Sequence, residues 1–291
     1  MTVVPKRLPR ISPLGLGFLA VTSIGWGLNF PIMKHLLTEW PPLSSRGLSG
    51  IVGAAALALV AVLQRQSLAV PRDMRLRLVL VSGLTISSWV AFMGLALLWL
   101  DAREAAVLAI SVPVWVALLA WPVLGERLSP WRAVALAVAL GGIFILIGGN
   151  SMEASIGKLP GLLMALAGAV CVGLGTVLTK HFPLQMPPTS LAAWQIGIGC
   201  LPVGLVGLAI ERPQLAALSA TGWASMTYLT LIQFCLCYVC WFVALERLPA
   251  ATASIGTLLV PVVGVLSAAA MLHEPFGLRE LAALTVALGG V

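Results

Sequence analysis

The chain has 291 residues, of which 60% are hydrophobic and only 9% are charged, and its formal net charge is +7. A soluble domain carries about 25% charged residues, so this sequence has too few charges to cover a soluble surface. Intrinsic disorder is excluded as well, because disordered chains combine low hydrophobicity with high charge. A transmembrane β-barrel needs short segments of alternating apolar and polar residues, whereas this sequence shows long unbroken apolar runs. The composition therefore predicts an all-α polytopic membrane protein.

Uncharged apolar stretches recur along the whole sequence. A helix needs about 20 apolar residues to cross the hydrocarbon core of a membrane. We predict ten transmembrane helices, near residues 15–35, 44–63, 77–99, 104–124, 131–149, 159–180, 189–209, 222–245, 251–272 and 278–291. The last stretch has only fourteen residues, so we expect the sequence to stop before that helix is complete. The short connections leave no room for a soluble domain.

The basic residues are distributed unevenly between the two sides of the predicted bundle. With ten spans and the N-terminus inside, the inner segments carry 11 Lys and Arg residues and the outer side carries 6. Basic residues accumulate in cytoplasmic segments. We therefore expect a multi-pass protein of the bacterial inner membrane with both termini in the cytoplasm. This distribution explains the positive net charge without a nucleic-acid partner.

The sequence repeats itself with an offset that changes once, from 146 to 148. The matched features, in order, are Lys34-His35 with Lys180-His181, Pro41-Pro42 with Pro187-Pro188, Ala96-Leu97 with Ala244-Leu245, Pro113 with Pro261, Glu126 with Glu274, and Gly141-Gly142 with Gly289-Gly290. These matches divide the chain into residues 1–150 and 151–291, each with five predicted helices. Because five is odd, the second copy enters the membrane from the opposite side. Inverted repeats are typical of alternating-access transporters, whose substrate site lies between the halves near the midplane.

Two motifs carry a resemblance to a known family. The first is Trp26-Gly27-Leu28-Asn29-Phe30-Pro31 followed by Lys34, with Arg46 opening the second predicted helix. The second runs from Pro113 to Gly125-Glu126-Arg127-Leu128-Ser129 and returns as Pro261 with His273-Glu274-Pro275. With these motifs the chain resembles the EamA type of the drug/metabolite transporter superfamily. In general similarity it is most like the aromatic amino-acid exporters of that superfamily, the YddG type.

The resemblance implies two inverted five-helix repeats around a central cavity, and export of small amphipathic metabolites by alternating access. Aromatic or hydrophobic amino acids are the leading substrates, and broad-specificity efflux of drugs or other metabolites by the same fold is the alternative. The expected partners are the lipid bilayer and the small-molecule substrate, with no obligate protein partner. No cofactor or metal is expected, because the five cysteines lie inside apolar runs without the further ligands that a metal site needs.

The second half departs from the first motif. Its segment Cys171-Val172-Gly173-Leu174-Gly175 lacks the Trp and Asn of the first half. We therefore expect a site near Trp26 and Asn29 to be asymmetric.

Ten side chains are candidates for the lining of the cavity. A tryptophan deep in a span carries an N–H group that needs a partner, so it favours a cavity or a polar neighbour over lipid. An aromatic lining with a few polar groups is the usual composition of a ligand pocket. The candidates for substrate binding are Trp26, Asn29, Trp89, Met93, Ser111, Trp115, Gln233, Tyr238, Trp241 and Ser254. For any one of the aromatic residues, simple packing between helices is the alternative.

Six further residues are candidates for structural or gating roles, namely Pro113, Pro261, Glu126, Glu274, Lys34 and Arg46. Proline removes a backbone hydrogen bond, so Pro113 and Pro261 are expected to bend the fourth and ninth spans, either as packing kinks or beside the cavity. Glu126 and Glu274 precede short loops and a new helix. A carboxylate there can accept bonds from the free N–H groups of that helix start.

Other functional classes have weaker support in the sequence. The nucleotide-binding motif G-x-x-x-x-G-K-[ST] is absent, which argues against an ATP-driven pump. Gly47-Leu48-Ser49-Gly50 and Ser155-Ile156-Gly157-Lys158 resemble short serine-enzyme motifs, but no His lies at a span centre to act as a base, so we expect no enzyme. A scaffold protein and a channel are further alternatives. No carboxylate or lysine lies at a span centre, so we expect flux that follows the substrate gradient, or weak coupling.

Overall fold

A computed structural model describes residues 12–125, 134, 141, 152–248 and 256–289, and every regular element within them is helical. The α-helices are α1 (Pro13–Leu36), α2 (Pro42–Leu63), α3 (Arg75–Ser82), α4 (Ser88–Ala96), α5 (Ala102–Leu108), α6 (Ser111–Leu124), α7 (Met152–His181), α8 (Pro188–Glu211), α9 (Ala220–Thr227), α10 (Cys237–Arg247), α11 (Leu259–Leu272) and α12 (Leu278–Gly289). Two π-helical segments, π1 (Gly83–Ser87) and π2 (Tyr228–Leu236), join α3 to α4 and α9 to α10. The predicted all-α class is confirmed for this part of the chain.

Seven helical stretches within the described residues are long and apolar enough to cross a membrane. They are Pro13–Leu36, Pro42–Leu63, Arg72–Ala96, Ala102–Leu124, Ile156–His181, Pro188–Glu211 and Ala220–Ala244. Each overlaps one of the spans predicted from the sequence. α11 and α12 are shorter, with 14 and 12 residues, and most of the predicted span 131–149 lies outside the described residues. The protein is a multi-pass helical membrane protein, and the count of ten spans stays a prediction.

α2 and α8 cross in close contact along most of their length. A Cβ atom added to Gly47 would overlap the backbone of Gly204. The contact pairs are Ser44 with Gly207, Gly47 with Gly204, Gly50 with Cys200 and Ala54 with Gly197. Residue numbers rise along one helix as they fall along the other, so the two helices are antiparallel. Small residues let helix backbones approach this closely in lipid, where packing rather than the hydrophobic effect drives association.

Side chains at the end of each of these two helices also bond to the start of the other. The first N–H groups of a helix have no partner within the helix and need an outside acceptor. Glu211, at the end of α8, accepts hydrogen bonds from the amides of Leu43 (3.0 Å) and Ser44 (2.7 Å). At the opposite end of the pair, the side-chain carbonyl of Gln64 accepts a bond from the hydroxyl of Thr189 (3.0 Å). These bonds fix the two helices along the axis as well as across it.

The first helix of each predicted half packs against the other half. α1 lies against α10 and α11, whereas α7 lies against α4 and α6. The close contacts at glycine are Gly15 with Leu248, Gly161 with Leu100, Gly27 with Val263, and Gly173 with Trp115. The glycines of the first two contacts are 146 residues apart, and so are those of the last two. The residues that these glycines contact are 148 residues apart in both cases. The contacts thus follow the same two offsets as the sequence repeat.

The fourth span is interrupted two residues before a proline, as the predicted kink requires. α5 ends at Leu108 and α6 begins at Ser111, so that Pro113 is the third residue of α6. Pro261 is likewise the third residue of α11, which begins at Leu259. Proline has no N–H group, and its ring clashes with the carbonyl four residues earlier. The surroundings of the two prolines differ, because Pro113 is exposed and Pro261 is buried.

We expect Gly47→Ala to destabilise the protein by about 1–3 kcal/mol, because the added methyl group has to push α2 away from α8. The measurement is the apparent Tm of the purified protein in detergent. Gly17→Ala is the matched control, since a Cβ atom at this position of α1 meets nothing within 4 Å. The control should leave Tm unchanged or raise it, and equal Tm values for the two variants would contradict the close crossing.

Candidate functional site

Three of the predicted binding residues form one group of aromatic rings, which we call the aromatic group: Trp26 of α1 with Tyr238 and Trp241 of α10. The ring centroids of Trp26 and Tyr238 are 5.4 Å apart with an edge-to-face angle of 69°. Those of Trp26 and Trp241 are 5.8 Å apart at 49°. All three side chains are partly rather than fully buried. The group therefore joins the two predicted halves and leaves ring surface available for a further contact.

Four other predicted binding residues carry buried polar atoms without a partner. They are Asn29 Oδ1, Ser111 Oγ, Trp115 Nε1 and Gln233 Oε1, none of which has a hydrogen-bond partner among the residues that the structure describes. Nearly all buried polar atoms in proteins are hydrogen-bonded. Leaving one unbonded costs about 1–3 kcal/mol. Such atoms are suited to receive the polar groups of a ligand.

The remaining binding candidates have different surroundings. Met93 is 2% exposed and packs with Phe30 in the largest apolar cluster of the described residues. Trp89 is partly buried against the same cluster. These two side chains therefore pack between helices, and their role in binding stays a prediction. Ser254 lies outside the described residues.

Arg46 has an unusual position for a charged residue. It lies in α2, is 1% exposed, and is the largest fully buried side chain of the described residues. Its aliphatic part covers Gly94 of α4, where a Cβ atom would lie 2.9 Å from Arg46 Cδ. In the described part of the chain, Nε, Nη1 and Nη2 have no hydrogen-bond acceptor.

Lys34, by contrast, has hydrogen-bond partners and a structural role. Its ammonium group donates hydrogen bonds to the backbone carbonyls of Leu97 (2.6 Å) and Leu100 (2.8 Å). These carbonyls follow the end of α4, where a helix leaves its last acceptors unsatisfied. Lys34 therefore stabilises the turn between α4 and α5.

Glu274 caps the start of α5, whereas the sequence predicted that it would cap the next helix along the chain. Its two carboxylate oxygens accept bonds from the amides of Ala102 (2.8 Å) and Arg103 (3.0 Å) at the beginning of α5. Arg103 in turn donates to the carbonyl of Pro275 (2.7 Å). The expected cap of the next helix is thus replaced by a bond between the two predicted halves. The equivalent Glu126 lies outside the described residues.

The start of α5 carries a further ionic cluster that the sequence analysis did not assign. Asp101 and Glu104 form a capping box, a pattern that their spacing of three residues could have indicated. Lys158 at the start of α7 donates to Glu104 Oε1 (2.8 Å) and Asp101 Oδ2 (3.0 Å). Glu39 accepts bonds from the amide and hydroxyl of Ser219, both at 2.7 Å, and nothing local in the sequence signals this pair.

This end of the bundle is therefore held by polar bonds, most of them between the predicted halves. Among the described residues, no group of three His, Cys, Asp or Glu side chains could hold a metal ion.

The described residues thus combine apolar spans with partly buried aromatic rings and buried polar atoms that have no partner among them. The sequence profile of the EamA-like transporter family matches residues 13–148 and 159–291. The chain belongs to this family, which is part of the drug/metabolite transporter superfamily.

Similar proteins and a solved structure agree with this assignment. The chain is 30% identical to a Salmonella typhimurium protein named probable amino-acid metabolite efflux pump, over 94% of this chain and 93% of that protein. It is 24% identical to the uncharacterized transporter YoaV of Bacillus subtilis, over 94% of each chain. A crystal structure with 19% identity covers 96% of each chain with a TM-score of 0.69, so the fold is shared. Both relatives are named as transporters.

We expect Glu274→Gln to lower stability by about 1–2 kcal/mol, because an amide offers a single acceptor to the two N–H groups at the start of α5. The apparent Tm in detergent measures the effect. Asp73→Asn is the matched control, since Asp73 is an exposed carboxylate in the connection before α3. If both variants melt at the wild-type temperature, the Glu274 cap does not contribute to stability.

Proposed function

We propose that the protein exports small amphipathic metabolites, with aromatic or hydrophobic amino acids as the main substrates. The observation that carries the proposal is the aromatic group, which lies partly open on the same helices as the unpartnered oxygens of Asn29 and Gln233. Ring surfaces favour an aromatic or large apolar side chain, and the oxygens favour the polar end of the same molecule. The name of the Salmonella relative, an amino-acid metabolite efflux pump, points to the same substrate class.

The proposal includes ten helices in two inverted repeats, residues 1–150 and 151–291. Three observations support this division. α2 and α8 occupy equivalent places in the two halves and run antiparallel. The contacts of α1 with α10 and α11 are repeated by α7 with α4 and α6 at the offsets of the sequence repeat. The family profile also matches two stretches of the chain, one in each half.

Alternating access follows from this arrangement. The two halves would rock about the α2–α8 crossing and open the central site to one side at a time. At one end of the bundle, Glu274, Glu39 and Glu211 bond the halves together. At the other end, Gln64 bonds to Thr189. Opening one end would break the bonds at that end while the bonds at the other end remain. The two sets of bonds would therefore form and break in turn during a transport cycle.

The proposed location is the bacterial inner membrane, with both termini in the cytoplasm. This orientation places the end that contains Glu39, Glu211 and Glu274 on the outer face. With no carboxylate or lysine at a predicted span centre, the outward gradient of the substrate supplies the driving force.

We expect Trp26→Leu to raise the KM for tryptophan and phenylalanine about tenfold, because it removes both ring contacts of the aromatic group. The measurement is counterflow of labelled amino acids in proteoliposomes that contain the purified protein. Trp223→Leu is the matched control, since Trp223 is 49% exposed on α9. An unchanged KM in Trp26→Leu, or counterflow of cationic drugs in place of amino acids, would contradict the proposal.

The inverted arrangement predicts that the ends of α1 and α7 face opposite sides of the membrane. Single cysteines at Thr38 and at Phe182, which are both exposed, test this in a cysteine-free variant. In intact cells an impermeant maleimide should label position 38 and leave position 182 unlabelled. Both positions should react after the membrane is permeabilised. Labelling of both positions, or of neither, in intact cells would place the two helix ends on the same side of the membrane. The two repeats would then not be inverted, and the proposed mechanism would be wrong.

A further inference from the structure

We infer that Arg46 binds the carboxylate group of the transported amino acid. The inference rests on the proposed function and names the residue that recognises one end of its substrate. Arg46 is in the second turn of α2, and it was expected to have a structural or gating role. Its contacts point to a different role, because every nitrogen of its guanidinium is buried without an acceptor in the described part of the chain.

A buried charge is normally paired, because removing it from water is costly. Two partly buried lysines near the bundle end follow this rule. Lys34 donates to two backbone carbonyls, and Lys158 donates to two carboxylates. For Arg46, by contrast, no acceptor lies within hydrogen-bond distance of Nε, Nη1 or Nη2 in the described part of the chain. The missing anion therefore has to be supplied from outside the described residues.

The position of Arg46 connects it to the aromatic group. One turn after Arg46 on α2, Gly50 packs against Phe234 of π2, and Tyr238, four residues after Phe234, meets the ring of Trp26. On the opposite side the Arg46 stem rests on Gly94, where any larger residue would displace it. A ligand that reaches Arg46 with its anionic end can thus place an apolar side chain against the rings.

The chemistry of the site matches a zwitterionic amino acid. A guanidinium presents a planar fork of N–H donors, which pairs with both oxygens of a carboxylate. An ammonium group needs acceptors, and Asn29 Oδ1 and Gln233 Oε1 are unpartnered acceptors on the same spans as the rings. A cationic drug would instead be repelled by the unpaired guanidinium. The arrangement therefore favours amino acids over the cationic compounds that broad-specificity efflux would include.

The test compares an amino acid with its amide, in which an uncharged group replaces the carboxylate. Wild-type proteoliposomes are assayed for counterflow with L-phenylalanine and with L-phenylalaninamide, which lacks the carboxylate. We expect phenylalanine to have an apparent affinity about 10- to 100-fold higher, the range for a hydrogen-bonded charge pair. In Arg46→Gln this preference should collapse to within about twofold, because phenylalanine loses its partner and the cationic phenylalaninamide is no longer repelled. Arg72→Gln, the same substitution at an exposed site, should keep the wild-type preference.

A second variant covers the case in which Arg46→Gln does not fold, as judged by its Tm in detergent. Gly94→Ala keeps the charge but moves the Arg46 stem, so it should lower the affinity for phenylalanine and leave that for phenylalaninamide unchanged. Equal wild-type affinities for the acid and the amide would overturn the inference while leaving the proposed function in place. Equal losses for both compounds in a folded Arg46→Gln would do the same. If the wild type transports no amino acid, the proposed function fails and the inference falls with it.

Discussion

The arrangement of the bundle depends on the close antiparallel crossing of α2 and α8. Because Gly47 and Gly204 have no side chains, the two backbones meet directly, and a single added methyl group would overlap the opposite helix. The bonds that Glu211 and Gln64 make at the two ends then fix the pair along its axis. Around this pair, α1 packs against α10 and α11, α7 packs against α4 and α6, and the aromatic group joins α1 to α10.

Much of the fold could be predicted from the sequence, because the thickness of the membrane sets the length of every span and its apolar interior sets the composition. The long uncharged runs gave the helical class and the approximate bounds of the spans, and proline at residue 113 indicated the break before α6. The sequence also selected Trp26, Tyr238 and Trp241, which do come together. The contacts among these three rings depend on which helices are neighbours. No local signal gives that, and only the repeat suggested a site between the two predicted halves.

The contacts that sequence reasoning missed are those that join residues far apart in the chain. Glu274 was expected to cap the helix that follows it, yet the nearest free N–H groups are those of α5. The pairing of Glu39 with Ser219 has no local pattern at all. Arg46 was placed near a span end from its position in the sequence. Only the folded structure, in which the Arg46 stem covers Gly94 of α4, shows that its charge is buried without an acceptor in the described part of the chain.

The two π segments change how the faces of the third and eighth spans are counted. In π2 the amide of Cys237 bonds to the carbonyl of Ile232, five residues back, so side chains five apart lie one above the other. A count of 3.6 residues per turn therefore assigns Gln233 and Tyr238 to different faces, whereas the wider turn brings them to the same side. A wide turn is also where a helix can slip by one residue at the expense of few backbone bonds. Rotation of one end of these spans against the other is therefore easiest at π1 and π2.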